Sequence, residues 1–214
     1  MRPDAVGQFL IWYGMGMFGS SIAATLFYFY VRDIIHSEPM LVIFLLLYIA
    51  SGATGMLVWN KIASYVGLLR TWRLAMVYSI LTFSAAAFLK SGDDMAFAAL
   101  CVISGFASGA DFFMPIDIMK QMNQSVDDEP QRRRNWAMMA AVGKGAAMLG
   151  CLPLLFIGVW QEMTSDEQHV ALIVAYVALP CLIKMVAVGG WSRWISKNGG
   201  AYEKISVRSD AYAA

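Results

Sequence analysis

The sequence predicts an all-α membrane protein of six transmembrane helices with both termini in the cytoplasm, and three observations carry that expectation. Of the 214 residues, 59% are hydrophobic and only 14% charged, with a mean hydropathy of +0.57. Soluble domains carry about 25% charged residues. Six apolar segments recur, each near the roughly 20 residues that cross about 30 Å of hydrocarbon at 1.5 Å per residue. Basic residues are concentrated in alternate loops. The length leaves room for six spans and little else, so no soluble domain of useful size is expected.

The first span covers residues 9–31 and the second residues 40–59; the third, residues 72–89, is the shortest. The fourth covers 95–119, the fifth 136–160 and the sixth 170–195, so residues 1–195 form one bundle and 196–214 a cytoplasmic tail. Small residues gather within the spans: Gly14, Gly16, Gly19, Ser20 and Ser21 in the first, Ser51, Gly52 and Gly55 in the second, Ser104, Gly105, Ser108 and Gly109 in the fourth, Gly143, Gly145 and Gly150 in the fifth. Such residues let helix backbones approach closely, so these stretches are read first as packing seams and second as a lining for a solute path. Trp59, Trp72, Trp136, Trp160, Trp191 and Trp194 fall near span ends, where an interfacial aromatic belt would place them.

Orientation follows from the loops. Lys61, Arg70 and Arg73 flank the second loop, Lys120 and Arg132 to Arg134 the fourth, and Arg193, Lys197, Lys204 and Arg208 the tail. The other loops hold far fewer basic residues, and the positive-inside rule then puts both termini and the even loops in the cytoplasm. An inner, cytoplasmic membrane of a bacterial type is the expected location, with the lipid bilayer as the first partner. The sixteen Lys and Arg are spread along membrane-flanking loops and form no patch, so nucleic acid is not an expected partner.

Two apolar runs between Ser104 and Gly150 each carry an ionisable residue, Asp111 and Lys144, where burial in a bilayer is expensive and commonly functional. Asp111 stands eight residues before Met119, about 12 Å along its helix, and Lys144 nine after Asn135, about 13 Å along the next. Similar depth on consecutive antiparallel helices makes them candidate partners, either as a buried lock or as a gating or coupling pair. Pro115 removes the donor to the Asp111 carbonyl and is expected to break the helix there, a device transporters use to build cation sites. Lys184 is expected to snorkel along its own stem, Asp117 and Lys120 to be interfacial, and the adjacent Arg32 and Asp33 to be solvated without facing each other.

Cys101, Cys151 and Cys181 lie in apolar runs without CxxC or metal-ligand spacing and are read as packing residues, with no disulfide. His36 and His169 sit in outer loops with no neighbouring ligand set. No nucleophile elbow, phosphate-binding glycine loop or metal motif is present, so neither an enzyme nor a cofactor is expected. The start MRPDAVGQ lacks the pattern of a signal peptide and begins with Met, which leads us to expect an uncleaved first span and a separate polypeptide.

Several stretches carry a family likeness. YFYVRDII closes the first span, VWNKIASYVGLLRTWR forms the loop after the second, Pro115 is followed by the basic cluster Arg132, Arg133, Arg134 and then by Lys144, and LPCLIKMVAV leads into GGAYEKISVR. In these stretches the chain resembles the C-terminal six-helix half of the glycoside-pentoside-hexuronide (melibiose-permease-like) cation symporters, within the major facilitator superfamily. The resemblance covers nearly the whole chain. It implies half of a major facilitator fold, a functional lysine at Lys144 and a cytoplasmic gate region at Arg132 to Arg134. The chain departs from the family at Gln121 and Gln124, where an acidic pair is usual, at Leu68 and Leu69, where basic residues often stand, and in lacking an N-terminal half.

Alternating access rocks one bundle against another, and one bundle alone has nothing to rock against. The first expectation is therefore a half-transporter that pairs with a second six-helix bundle, either a copy of itself or a separate N-terminal half, to carry a sugar-like polar solute with a coupled cation. The second is a non-transporting transmembrane subunit that scaffolds a larger membrane complex.

Overall fold

The structure, a computed structural model, describes residues 4–124, 126–156 and 164–210. Helix α1 (Asp4–Tyr30) runs into a π-helical turn (Val31–Ile35), and a 3-10 turn (Glu38–Met40) opens α2 (Leu41–Val66). Then come α3 (Leu68–Ser84) with a 3-10 extension (Ala85–Phe88), α4 (Asp94–Gln124), and α5 (Glu129–Leu149) followed by 3-10 turns (Leu152–Phe156). Helix α6 (Ser165–Ile173) continues through a second π turn (Val174–Ala178) into α7 (Leu179–Asp210). Among the described residues there is no strand. Five segments are long and apolar enough to cross a membrane: Ala5–Ile35, Glu38–Val66, Asp94–Gln124, Glu129–Leu155 and Glu167–Gly199. This is the make-up of an all-α membrane protein. Helix α3, at 17 residues, is shorter.

Local chemistry sets the boundaries. Gly67 alone separates α2 from α3, with φ 92°, a backbone conformation that a side chain would strain. Its N–H closes α2 on the Ala63 carbonyl and its own carbonyl accepts from Thr71. Pro130 in the first turn of α5 needs no intrahelical donor, and α6 opens with a capping box between Thr164 and Glu167. Helix α4 runs unbroken through Pro115, contrary to the expected break. The lost donor removes one bond, and the flanking turns of a 31-residue helix packed against α2 and α3 keep the segment helical. The segment expected as a tail continues the α7 helix to Asp210.

Helix α4 packs along α2 and α3, while α1 packs on α5 and α7, and α3 joins the two groups through α7. The α2–α4 seam explains its glycines: a Cβ at Gly55 would strike the Phe106 backbone, one at Gly105 the Tyr48 backbone and one at Gly109 the Gly52 backbone. These residues are packing positions, the first of the two readings.

The core divides into two apolar clusters. One, at the end holding the helix termini Asp4 and Val66, gathers Phe9, Trp59, Trp72, Met76, Met114, Met119, Trp191 and Trp194. The other, at the opposite end, gathers Ile22, Tyr30, Ile35, Phe44, Phe97, Leu100 and Tyr176. Four expected belt tryptophans thus face inward. Trp72 and Trp191 meet at 4.8 Å and Trp191 stacks on Trp194 at 4.6 Å. Each indole N–H finds an interior acceptor, with Trp59 donating to Phe106, Trp191 to Leu69 and Trp194 to Ala5. An indole whose donor is met inside the protein gains nothing from the headgroup layer. Trp136 is exposed, and Trp160 lies outside the described residues.

Candidate functional site

Between the two apolar clusters lies a polar layer at mid-helix depth. Asp111 stands seventeen residues into α4 with thirteen beyond it, and Lys184 falls near the middle of the segment Glu167–Gly199. The Lys184 ammonium donates to Asp111 Oδ2 at 2.8 Å and to Ser79 Oγ of α3 at 2.9 Å. The Trp72 indole donates to Asp111 Oδ1 at 3.3 Å, so each carboxylate oxygen has a partner. The two charged side chains are only 10% (Lys184) and 16% (Asp111) exposed. Three helices are thereby tied at one point.

A partly open cavity of about 160 Å3 lies on the other side of Lys184, lined by α1, α2, α3, α4, the π turn before α7 and the start of α7 itself. Ser79, Ser104, Ser108, Tyr48 and Lys184 supply its polar wall, and Phe27, Phe83, Phe97 and Leu100 its apolar one. Ser104 and Ser108 return their protons to the Leu100 and Gly105 carbonyls, as helical serines commonly do, and keep acceptor lone pairs. No group of three or more His, Cys, Asp or Glu able to hold a metal ion occurs among the described residues. Removing either charge would leave the other largely buried without its partner, a state that costs about 3–5 kcal/mol.

No family model, characterised protein or solved structure matches the chain.

The structure does not bring Asp111 and Lys144 together. Lys144 is exposed on the outer face of α5 and makes no ion pair among the described residues. Depth along a helix was legible, but azimuth and neighbourhood were not. Helices α4 and α5 follow each other in the chain yet meet chiefly at their connection, where Asn135 donates to Asn123 at 2.7 Å, and α5 packs instead on α1. Lys184 does not snorkel; it is buried. A depth count was available for it too, since it stands nine residues before Arg193, as Lys144 stands nine after Asn135.

Arg132, Arg133 and Arg134 occupy the opening turns of α5, away from the polar layer. Arg132 and Arg133 pair with Glu129, Arg133 at 3.2 Å, while Arg134 donates to Gln131. Asp117 and Lys120 approach to 3.7 Å on the outer part of α4. Arg32 and Asp33 do face each other, with bonds of 2.6 and 2.9 Å within the π turn Val31–Ile35. The Arg32 guanidinium also lies over the Tyr28 and Phe29 rings.

Proposed function

We propose that the chain is a six-span bundle, with α3 and its 3-10 extension completing the sixth crossing, that serves as half of a secondary transporter and couples a cation to a small polar solute through Asp111 and Lys184. The observation that carries this reading is the 2.8 Å ion pair buried between α4 and α7 beside a cavity. A proton or cation reaching Asp111 would free Lys184, and breaking a buried pair changes stability by several kcal/mol, of order 3–5. That is enough to bias two arrangements of a bundle. In the resemblance to the melibiose-permease-like symporters, the solute would be sugar-like and the membrane a bacterial inner one, with both termini cytoplasmic.

The need for a second bundle is supported by α5. Ala137, Ala140, Ala141, Lys144 and Ala147 are all exposed and fall on one face at helical spacing. Small residues around a lone ammonium at spanning depth suit a second helix bundle better than lipid. Affinity isolation from native membranes should recover a second copy or another six-helix protein in equal amount; the bundle isolated alone would sink this part of the reading.

One observation favours the alternative, a non-transporting subunit of a membrane complex. Both Asp111 oxygens and Ser79 are engaged, so the pair also suits a permanent lock of α3, α4 and α7. Recovery of a stoichiometric assembly of several different subunits would favour that reading.

A further inference from the structure

On three helices the lining of the cavity ends at the level of the ion pair. Along α4, Ser104, Ser108, Asp111, Ile118 and Met122 fall on one face at helical spacing; the first two line the cavity and the last two are sealed in the core. On α3, Phe83 and Ser79 line it while Met76 and Trp72 are sealed, and on α7 Pro180 and Lys184 line it while Ala187 and Trp191 are sealed. Each sealed residue is at most 2% exposed. Access to the pair is thus one-sided. The side toward Asp4 and Val66, which is the cytoplasmic side when both termini are cytoplasmic, is closed by the cluster that holds Phe9, Trp72, Trp191 and Trp194.

Trp72 differs from the other tryptophans of that closure. Trp59, Trp191 and Trp194 donate to backbone carbonyls, which keep their acceptor strength whatever ion reaches the pair. The Trp72 indole donates to Asp111 Oδ1, an ionisable acceptor, at 3.3 Å. Its ring also meets Trp191 of α7 at 4.8 Å and Phe9 of α1 at 5.9 Å, so one side chain of α3 touches the ion site and two other helices. A hydrogen bond to a charged acceptor is roughly twice as strong as one to a neutral acceptor. A proton or cation that arrives at Asp111 from the cavity therefore loosens the hold on Trp72, on the far side of the pair.

We propose that Trp72 is the gate of the ion pair: with Asp111 charged it closes the path toward Asp4 and Val66, and neutralisation of Asp111 releases it. The proposal rests on the reading of Asp111 as the point where the cation lands, and it places the barrier inside this one bundle. Trp72 acts through Asp111 and is a positioning residue.

The test measures the reaction of single cysteines with methyl methanethiosulfonate by intact-mass spectrometry, on the full chain in lipid nanodiscs with Cys101, Cys151 and Cys181 replaced by alanine. Ser108→Cys should react readily and Ile118→Cys much more slowly. Trp72→Phe, which keeps a ring and removes the donor, should speed the reaction at Ile118→Cys about two- to tenfold, the range one hydrogen bond supplies, with no matching rise at Ser108→Cys. Asp111→Asn with Lys184→Met, which leaves no unpaired charge, should do the same. Equal reactivity at the two positions with Trp72, Asp111 and Lys184 intact overturns the proposal, and so does an unchanged Ile118→Cys rate in either variant background. A rise at both positions alike also overturns it, since a loosened fold would then be the cause. No solute, gradient or second bundle enters the assay, so it can succeed where coupled transport fails and fail where transport stands.

Discussion

Asp111 and Lys184, 73 residues apart in the chain and on two helices with few other contacts between them, join at 2.8 Å in the middle of the bundle. The pair is shielded from solvent, shared with Ser79 and capped by Trp72, and it marks the level at which the two apolar clusters meet.

Removing one charge should hurt more than removing both. Asp111→Leu leaves Lys184 without its carboxylate and should lower stability by about 3–5 kcal/mol, whereas Asp111→Leu with Lys184→Leu should be near neutral or stabilising. Thermal unfolding in detergent for both single variants and the double variant measures this. A double variant that loses as much as the two single variants added together would show that the pair is not coupled.

The α2–α4 seam should reject any side chain larger than hydrogen. Gly105→Ala places a methyl against the Tyr48 backbone, which cannot rotate away, and should cost about 1–3 kcal/mol. Gly16→Ala meets nothing within 4 Å and should be neutral or mildly stabilising, by roughly 0.5–1 kcal/mol from helix propensity. Melting temperatures of the two variants in the same detergent should move apart.

Tryptophan exposure gives a spectroscopic check. In single-tryptophan variants with phenylalanine at the other positions, brominated lipid should quench Trp136 strongly and leave Trp72 and Trp191 nearly untouched, because both lie buried in the core. Uniform quenching would contradict the inward aromatic cluster.

Lys144 separates folding from assembly. Lys144→Leu removes an exposed charge with no ion pair among the described residues, so the isolated bundle should keep its melting temperature or gain slightly. If α5 carries the docking face, the same variant should change the yield of cross-linked partner recovered from native membranes.

Part of the fold was legible because a bilayer imposes simple rules: apolar composition and length pointed to an all-α membrane protein, of which five segments are long and apolar enough to cross, and small residues pointed to close packing without saying which helices meet. The helices differ from the expected spans at their ends: the first extends through a π turn to Ile35, α5 runs from Glu129 to Leu149, and the last helix continues past 195. The site was only half legible. Asp111 was identified from its depth, but its partner depends on which helix faces its side, and chain order does not fix that. Helix α5 follows α4 and yet lies against α1, which left Lys144 outside and Lys184 inside. The tryptophans misled for a related reason: position near a span end is shared by belt residues and core residues, and only the acceptor for the indole N–H tells them apart. Pro115 shows a third limit, since losing one intrahelical bond does not by itself end a helix packed against its neighbours.

The central claim is that Asp111 and Lys184 couple ion movement to solute movement. The most direct measurement compares accumulation and exchange of radiolabelled hexoses and disaccharides in vesicles holding the native assembly, for the wild type and for Asp111→Asn with Lys184→Met. The account predicts that the neutral pair still exchanges solute across the membrane but no longer accumulates it under a proton or sodium gradient. Accumulation at the wild-type level in the neutral pair would contradict it.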